Sequence, residues 1–256
     1  KEMGGIAHHL IGERSINESI SAGQYAKLVH RSVQKVRIRE KTPIVCGGAG
    51  LYYRALNTGI FEQSKSEPFI RKNLEDMYDS GGAQKMMNTL NKIDPEYSKH
   101  VHINNRKRLI RALEIYEGTG KAPSEHFKNQ KNKPHTNLNL FSIYLNWDRN
   151  DLRERISKRT SKMIKKGWIN VVKNLIDKYP GFDLYSLDFI GYRQIVSYLE
   201  NRISLQDLES EINTKTYQYA IKQIKWFRKE KIDFIIDMNS KTVIDQVVND
   251  ILSIIN

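Results

Sequence analysis

The sequence predicts an α/β fold in which helices are in the majority, and three observations predict it. A short apolar run, Pro43-Ile44-Val45-Cys46, leads through Gly47, Gly48 and Gly50 into the helix-compatible stretch Leu51 to Leu56. Two further β-like segments, Leu138 to Asn146 and Ile232 to Ile236, lie far along the chain with helical patterns between them. From about Glu67 to Lys121 nothing reads as a strand. Strand, glycine turn and helix is the common unit of a parallel sheet, and a long strand-free stretch within such a chain reads as a helical insertion.

Taken in order, Ser21 to Arg39 places Tyr25, Leu28, Val29, Val33 and Val36 close to a 3.6-residue period, which predicts a helix. The Pro43–Cys46 strand, its glycine turn and the 51–56 helix follow. In the insertion Ile70, Leu74 and Tyr78, then Met86, Met87 and Leu90, then Leu109, Ala112, Leu113 and Tyr116 are three helical patterns. The polar stretch Lys128 to Asn137, with Pro134, is the natural return linker. Alternation at Leu138, Leu140, Ile143 and Leu145 resumes the sheet. Helices are then expected at about Arg149 to Lys165, Ile169 to Lys178, Gly191 to Leu199, Leu205 to Lys229 and Val243 to Ile255, with the strand Ile232 to Ile236 between the last two. There is no internal repeat and no low-complexity tract.

With 256 residues, 39% hydrophobic and 28% charged, the chain suits one large domain or a core with an insertion. The single Cys46 excludes a disulfide framework and fits a reducing cytosol. Lys and Arg outnumber Asp and Glu by 42 to 29, a net charge of +13. Such a field favours an anionic partner, nucleic acid first and then an acidic membrane surface or a phosphorylated small molecule. No apolar run approaches the roughly 18 residues of a membrane span. The chain opens on Lys1 with no leader, and is expected to be a fragment or a trimmed product.

Some residues break the pattern of their own helix. In the stripe Leu152, Ile156 and Met163 the completing position is Arg159, which predicts an inward-facing guanidinium. A buried guanidinium needs a carboxylate or an anionic ligand, and its fork suits a phosphate; a structural ion pair and a snorkelling side chain are the other readings. Near the C-terminus, Gln223 fills the missing turn of the stripe Ile212, Thr216, Tyr219 and Trp226. An inward amide there could meet a base edge while Tyr219 and Trp226 offer stacking faces, and Lys222, Lys225 and Lys229 with Arg228 make a basic row. A satisfied core amide beside a solvated lysine face is the plainer alternative.

Asn104 to Arg111 places Arg108 and Arg111 one turn apart behind a capping asparagine. That is a plausible phosphate clamp, although Arg111 could equally pair with Glu114. Ile190-Gly191-Tyr192-Arg193 puts a glycine at a helix start, where exposed amides can accept an anion. His8 and His9 look like a metal pair, but adjacent histidines point apart, and no other ligand joins them at suitable spacing, so a structural role is expected. There is no internal P-loop, nucleophile elbow or zinc spacing; Gly47-Gly48-Ala49-Gly50 is followed by no lysine.

In order, Glu2 to Leu10, Pro43 to Tyr52, His102 to Glu114, Arg155-Ile156-Ser157-Lys158-Arg159, Ile190 to Arg193 and Tyr219 to Arg228 resemble the tRNA dimethylallyltransferase family over nearly the whole chain. The resemblance implies a P-loop NTPase-like parallel sheet core, residues 1–63 and 134–256, with an inserted all-helical domain, 64–133, that contacts tRNA. It implies transfer of a dimethylallyl group from dimethylallyl diphosphate to the N6 amine of the adenosine beside the anticodon. Further implications are an anticodon stem-loop partner, a flipped-out base, Mg²⁺ on the diphosphate, a cytoplasmic monomer and no membrane.

Position by position, Arg159 matches the family arginine that contacts the diphosphate, and Ala49 stands where the family has an active-site threonine. Lys107, Arg108 and Arg111 match one tRNA contact, Gly191, Tyr192 and Arg193 a second, and Lys222, Gln223, Lys225 and Arg228 a third. Ile221 and Lys222 replace a usual Lys-Arg pair, and Ala7 and Gly12 depart from a Pro and an Asp. The family's P-loop and its aspartate base are expected upstream of Lys1, so this stretch alone is expected to be inactive. Two rival functions are a tRNA-binding relative without catalysis and a P-loop kinase acting on a small molecule.

Overall fold

A computed structural model describes residues 4–16, 18, 20–59, 68–129, 138–182, 184 and 189–255. Close contacts divide the chain into two units, Lys1–Leu140 and Phe141–Asn256, each with its own interior.

In the first unit, helix α1 (Ala22–Arg37) starts where Ser21 accepts the Gln24 amide while the Gln24 side chain takes the Ser21 amide. This reciprocal cap satisfies two otherwise orphaned donors. Its buried stripe of Ala22, Ala26, Val29 and Val33 packs on Ala55 and Leu56 of α2 (Gly50–Asn57), and Tyr25 stacks on Tyr52 with ring centres 4.2 Å apart.

Two expectations of the sheet need correction in this unit. Residues 43–46 are not in a strand, and Ile44 is 81% exposed. A strand exists only where a neighbour takes its backbone groups, and no described segment pairs with this one. Leu138 and Leu140 also lie outside any strand, because they pack against the α1–α2 core. Their alternation records one buried face, which does not require pairing.

The strand-free stretch is helical, as the periodicity predicts. Helix α3 (Pro68–Met77) turns at a kink over Tyr78–Gly82, where Gly81 has φ 90°, into α4 (Ala83–Ile93). Helices α5 (Pro95–Ser98), α6 (Arg106–Thr119) and α7 (Pro123–Asn129) follow, the last unanticipated. Leu74, Met86, Leu90, Val101, Leu109, Ile110, Ala112 and Leu113 form a core separate from that of α1 and α2. The carboxylate of Asp94, 2% exposed, accepts the amides of Tyr97 at 2.8 Å and Ser124 at 2.7 Å, so one side chain ties the starts of α5 and α7 together. Most of the expected linker, residues 130–137, lies outside the described residues.

The second unit contains β1 (Ile143–Trp147) and β2 (Phe234–Met238), paired parallel from Ile143 opposite Phe234 to Trp147 opposite Met238. Both begin later than the sequence pattern suggests. Ser142 donates its amide and hydroxyl to Asp233 at 2.7 and 2.5 Å, closing the start of the ladder with side chains. Parallel strands need a long crossover. It is formed by α8 (Arg149–Lys165), α9 (Trp168–Lys178), α10 (Tyr192–Leu199) and α11 (Leu205–Phe227), and α12 (Ile244–Ile255) comes after β2. Ile156, Val172, Ile195, Leu208, Ile212 and Ile224 are buried among these helices. The observed class is mixed α/β with a small parallel sheet and many helices.

Candidate functional site

Helix α8 is fixed at its start by Asp148, whose carboxylate accepts the amides of Asn150 at 2.8 Å and Asp151 at 3.2 Å. These bonds stabilise the ionised form and hold the Asp148 pKa below the usual carboxylate value. The helix buries Ile156 and Thr160. Arg159 is exposed, which corrects the expectation that it faces inward. The seam runs from Ile156 to Thr160 at i+4; threonine closes it cheaply because its hydroxyl donates to the Ile156 carbonyl at 3.0 Å. The guanidinium, one residue back, is left in solvent, and among the described residues no carboxylate pairs with it.

Two neighbouring arginines are engaged. Arg153 lies 4.2 Å from the Tyr217 ring centre and Arg155 4.0 Å from that of Trp147, both within cation–π range. Of these three guanidinium groups, Arg159 is the one left available to an anion.

Ala49, in the first unit, occupies the N-cap of α2 in an extended conformation and makes no side-chain bond there. Its carbonyl accepts the amides of Tyr52 and Tyr53, but its methyl group leaves the first-turn donors without a side-chain acceptor.

In the same unit, Asn105 caps α6 by accepting the Arg108 amide at 3.2 Å. Lys107 and Arg108 are exposed. Arg111 is half-buried and donates to Glu114 at 2.8 Å, so the alternative left open by the sequence is the one realised. The Glu114 side chain is 1% exposed, and Arg71 of α3 approaches the same oxygen at 3.6 Å. Arg106 donates two bonds to Asp79, at 2.9 and 2.7 Å, holding the Asp79 pKa below its ordinary value. Arg71 escaped sequence reading; its signal was Glu114 itself, an acid inside the buried run Leu113 to Ile115.

In the second unit, Gly191 starts α10 with φ 96°. Its amide is not open to an anion, since it donates to Gln194 Oε1 at 2.8 Å in a buried site, and this corrects the expectation of exposed amides. A Cβ at this position would lie 2.1 Å from the Trp168 ring, so glycine is required both by the backbone and by the indole seated on it. Tyr192 meets Trp168 edge-on at 6.2 Å, and Arg193 is exposed.

On α11, Lys222, Lys225 and Arg228 are exposed and Gln223 is half-buried. The inward position is Ile224, 8% exposed, so Gln223 flanks the seam and does not fill it. Tyr219 presents 46% of its surface to solvent, compatible with stacking. His8 Nδ1 donates to the Ile6 carbonyl at 2.9 Å, and no cluster of three His, Cys, Asp or Glu side chains suited to a metal occurs among the described residues.

Residues 1–230 match the model of the family described as IPP transferase. A tRNA dimethylallyltransferase of Christiangramia forsetii is 36% identical over 248 residues, 96% of this chain and 80% of that protein. The one from Bacillus subtilis is 34% identical over 90% of this chain and 73% of its own length. Among solved structures, the full-length tRNA isopentenylpyrophosphate transferase of Bacillus halodurans superposes with a TM-score of 0.65 at 30% identity, covering 99% of this chain and 78% of that one. A eukaryotic dimethylallyltransferase acting on tRNA gives a TM-score of 0.77 at 25% identity, covering 97% and 66%.

Proposed function

The chain belongs to the IPP transferase family, and on that premise we propose how its residues share the family reaction. The activity is transfer of a dimethylallyl group from dimethylallyl diphosphate to the N6 amine of the adenosine beside the tRNA anticodon. The amine forms a bond to the allylic carbon, the carbon–oxygen bond breaks, diphosphate leaves with the electron pair, and the nitrogen loses a proton. The observation that carries this reading is the family match over residues 1–230, supported by 36% identity across 96% of the chain.

Arg159 receives the departing diphosphate in this proposal. Its case rests on its correspondence to the family arginine and on a guanidinium that no described carboxylate neutralises. Stabilising charge that grows during bond cleavage is where a cation contributes most. At the Ala49 position a hydroxyl is replaced by a methyl group, which predicts slowed transfer. Lys107, Arg108, Lys222, Lys225, Arg228 and Arg193, all exposed, serve as contacts to the anticodon stem-loop, with Tyr192 and Gln223 beside them. Arg111 supports that surface while held by Glu114. Gly191 acts by seating Trp168 under the 189–193 segment.

The finer architecture is also proposed. Residues 1–63 and 134–256 form a P-loop NTPase-like core and 64–133 an inserted tRNA-contacting domain, a division supported by the separate core of α3, α4 and α6. A larger parallel core is supported by the parallel pairing of β1 and β2 and by Leu145 and Ile235, 46% and 57% exposed, which leave a face of the pair uncovered. Mg²⁺ on the diphosphate belongs to the same reading, but the described residues offer no ligand set for it, and no step is assigned to it. A cytoplasmic monomer completes the proposal; no described helix is long and apolar enough to cross a membrane.

The test is incubation of the intact protein with dimethylallyl diphosphate, Mg²⁺ and unmodified tRNA. The expected result is a mass gain of one five-carbon prenyl unit on the adenosine next to the anticodon. Salt-sensitive tRNA binding with no gain under any condition would replace this reading with that of a non-catalytic tRNA binder.

A further inference from the structure

The solvent face of α8 carries more positive charge than the proposed reaction uses. Ser157, Lys158, Ser161, Lys162, Lys165 and Lys166 line an open hollow of about 440 Å³ along the outer side of its C-terminal half. Lys158 is paired with Glu154 at 2.5 Å, so part of its charge is compensated. Lys162 and Lys165 are exposed and meet no carboxylate among the described residues. The row is held rigidly from behind. Ile156 and Thr160 are buried and Arg153 lies over Tyr217 of α11, while at the edge of the hollow Ser161 donates to Glu209 of α11 at 2.9 Å.

We propose that this face, centred on Lys162, Lys165 and Lys166, is an additional docking surface for the phosphate backbone of the tRNA. The inference rests on the tRNA substrate of the proposed function. Its length argues for a polymer. At about 1.5 Å rise per residue, Lys162 to Lys166 extends about 6 Å along the axis, and about 12 Å with Lys158 included. A single diphosphate engages a cluster a few ångströms across, whereas a row of this length matches consecutive phosphates of a strand. Lysines near a helix C-terminus also offset the macrodipole. Lys162, Lys165 and the C-cap Lys166 stand in that last turn, so the thermal midpoint in the test below separates the two roles.

The test uses the intact protein with Lys162→Gln, Lys165→Gln and Lys166→Gln combined, beside a control carrying Lys35→Gln and Lys241→Gln at exposed positions elsewhere. Affinity for unmodified tRNA is measured across a salt series, together with the KM for dimethylallyl diphosphate and the thermal midpoint. The expected result is at least a tenfold weaker affinity at low salt and a salt slope shallower by about 2, the loss of about three phosphate contacts. The KM for dimethylallyl diphosphate and the control's slope stay unchanged. A slope equal to wild type overturns the proposal, whether the thermal midpoint falls, as dipole compensation alone requires, or the diphosphate KM rises, as a small-anion site requires. Wild-type protein that shows no salt-dependent tRNA binding would overturn the proposed function as well, so the two failures are distinguishable.

Discussion

The buried carboxylate of Glu114 accepts a bond from Arg111 Nη1 at 2.8 Å, although both residues lie on the same helix among the apolar residues Leu113 and Ile115. A charge 1% exposed is tolerable because Arg111 and Arg71, from two helices, converge on one of its oxygens. Arg71 on Glu114 joins α3 to α6, and Arg111 on Glu114 sets the pose of a guanidinium on the proposed tRNA surface.

Glu114→Ala leaves two guanidinium groups without their shared acceptor at a partly covered site. Breaking a fully buried pair costs about 3–5 kcal/mol. Because the arginines are 36% and 42% exposed, solvent reduces the expected loss to about 2 kcal/mol. Urea unfolding with an unchanged m-value checks it, and tRNA affinity is expected to fall as Arg111 loses its fixed pose.

Ala49→Thr places a hydroxyl at the uncapped start of α2. A side-chain N-cap contributes about 1 kcal/mol, so the thermal midpoint is expected to rise. If the position also serves the reaction, prenyl transfer accelerates in the same variant, while Ala49→Ser, at least as good an N-cap, raises the midpoint as much or more.

Arg159→Ala is expected to lower the transfer rate about a hundredfold or more, the usual effect of removing one donor aimed at developing charge. Because the side chain is exposed and outside the Ile156–Thr160 seam, stability should not change. Single-turnover kinetics together with tRNA affinity decide the matter: equal loss in both would move Arg159 from the diphosphate to the RNA.

Gly191→Ala forces a Cβ to within 2.1 Å of Trp168 at a φ of 96°. Strain and overpacking each cost about 1–3 kcal/mol, so a loss of about 3 kcal/mol is expected. In a Trp168→Ala background the steric part vanishes, and a double-mutant cycle in urea should show strong non-additivity.

Acid weakens the first helical unit through Asp79. Its folded-state pKa lies below the unfolded value because Arg106 hydrogen-bonds the ionised carboxyl. The stabilisation is therefore full above the ordinary carboxylate pKa and disappears as pH falls through the lower folded value. Asp79→Asn is expected to flatten the acid limb of the unfolding midpoint as pH falls below the ordinary carboxylate range.

Helix positions were legible because a buried stripe at a 3.6-residue period is a local property of the chain. Arg149 to Lys165 and the start near Ser21 are observed where the periodicity places them. Strands were harder to read. The apolar run 43–46 and the alternation at Leu138 and Leu140 look like strands, yet pairing depends on what lies alongside, which no local pattern encodes.

The site divides along the same line. Its residue types and their order along the chain, from Ala49 through Lys107 and Arg108 to Arg159 and the basic row of α11, were fixed by the amino acids themselves, and with them the family. Orientation belonged to the tertiary structure: Thr160 in place of Arg159 in the seam, Ile224 in place of Gln223, Arg111 bound to Glu114, and Trp168 resting on Gly191. The first two are choices between neighbours about 100° apart on a helix, and only the partner packed against that helix makes them; the other two are contacts that exist only once helices or turns are packed together.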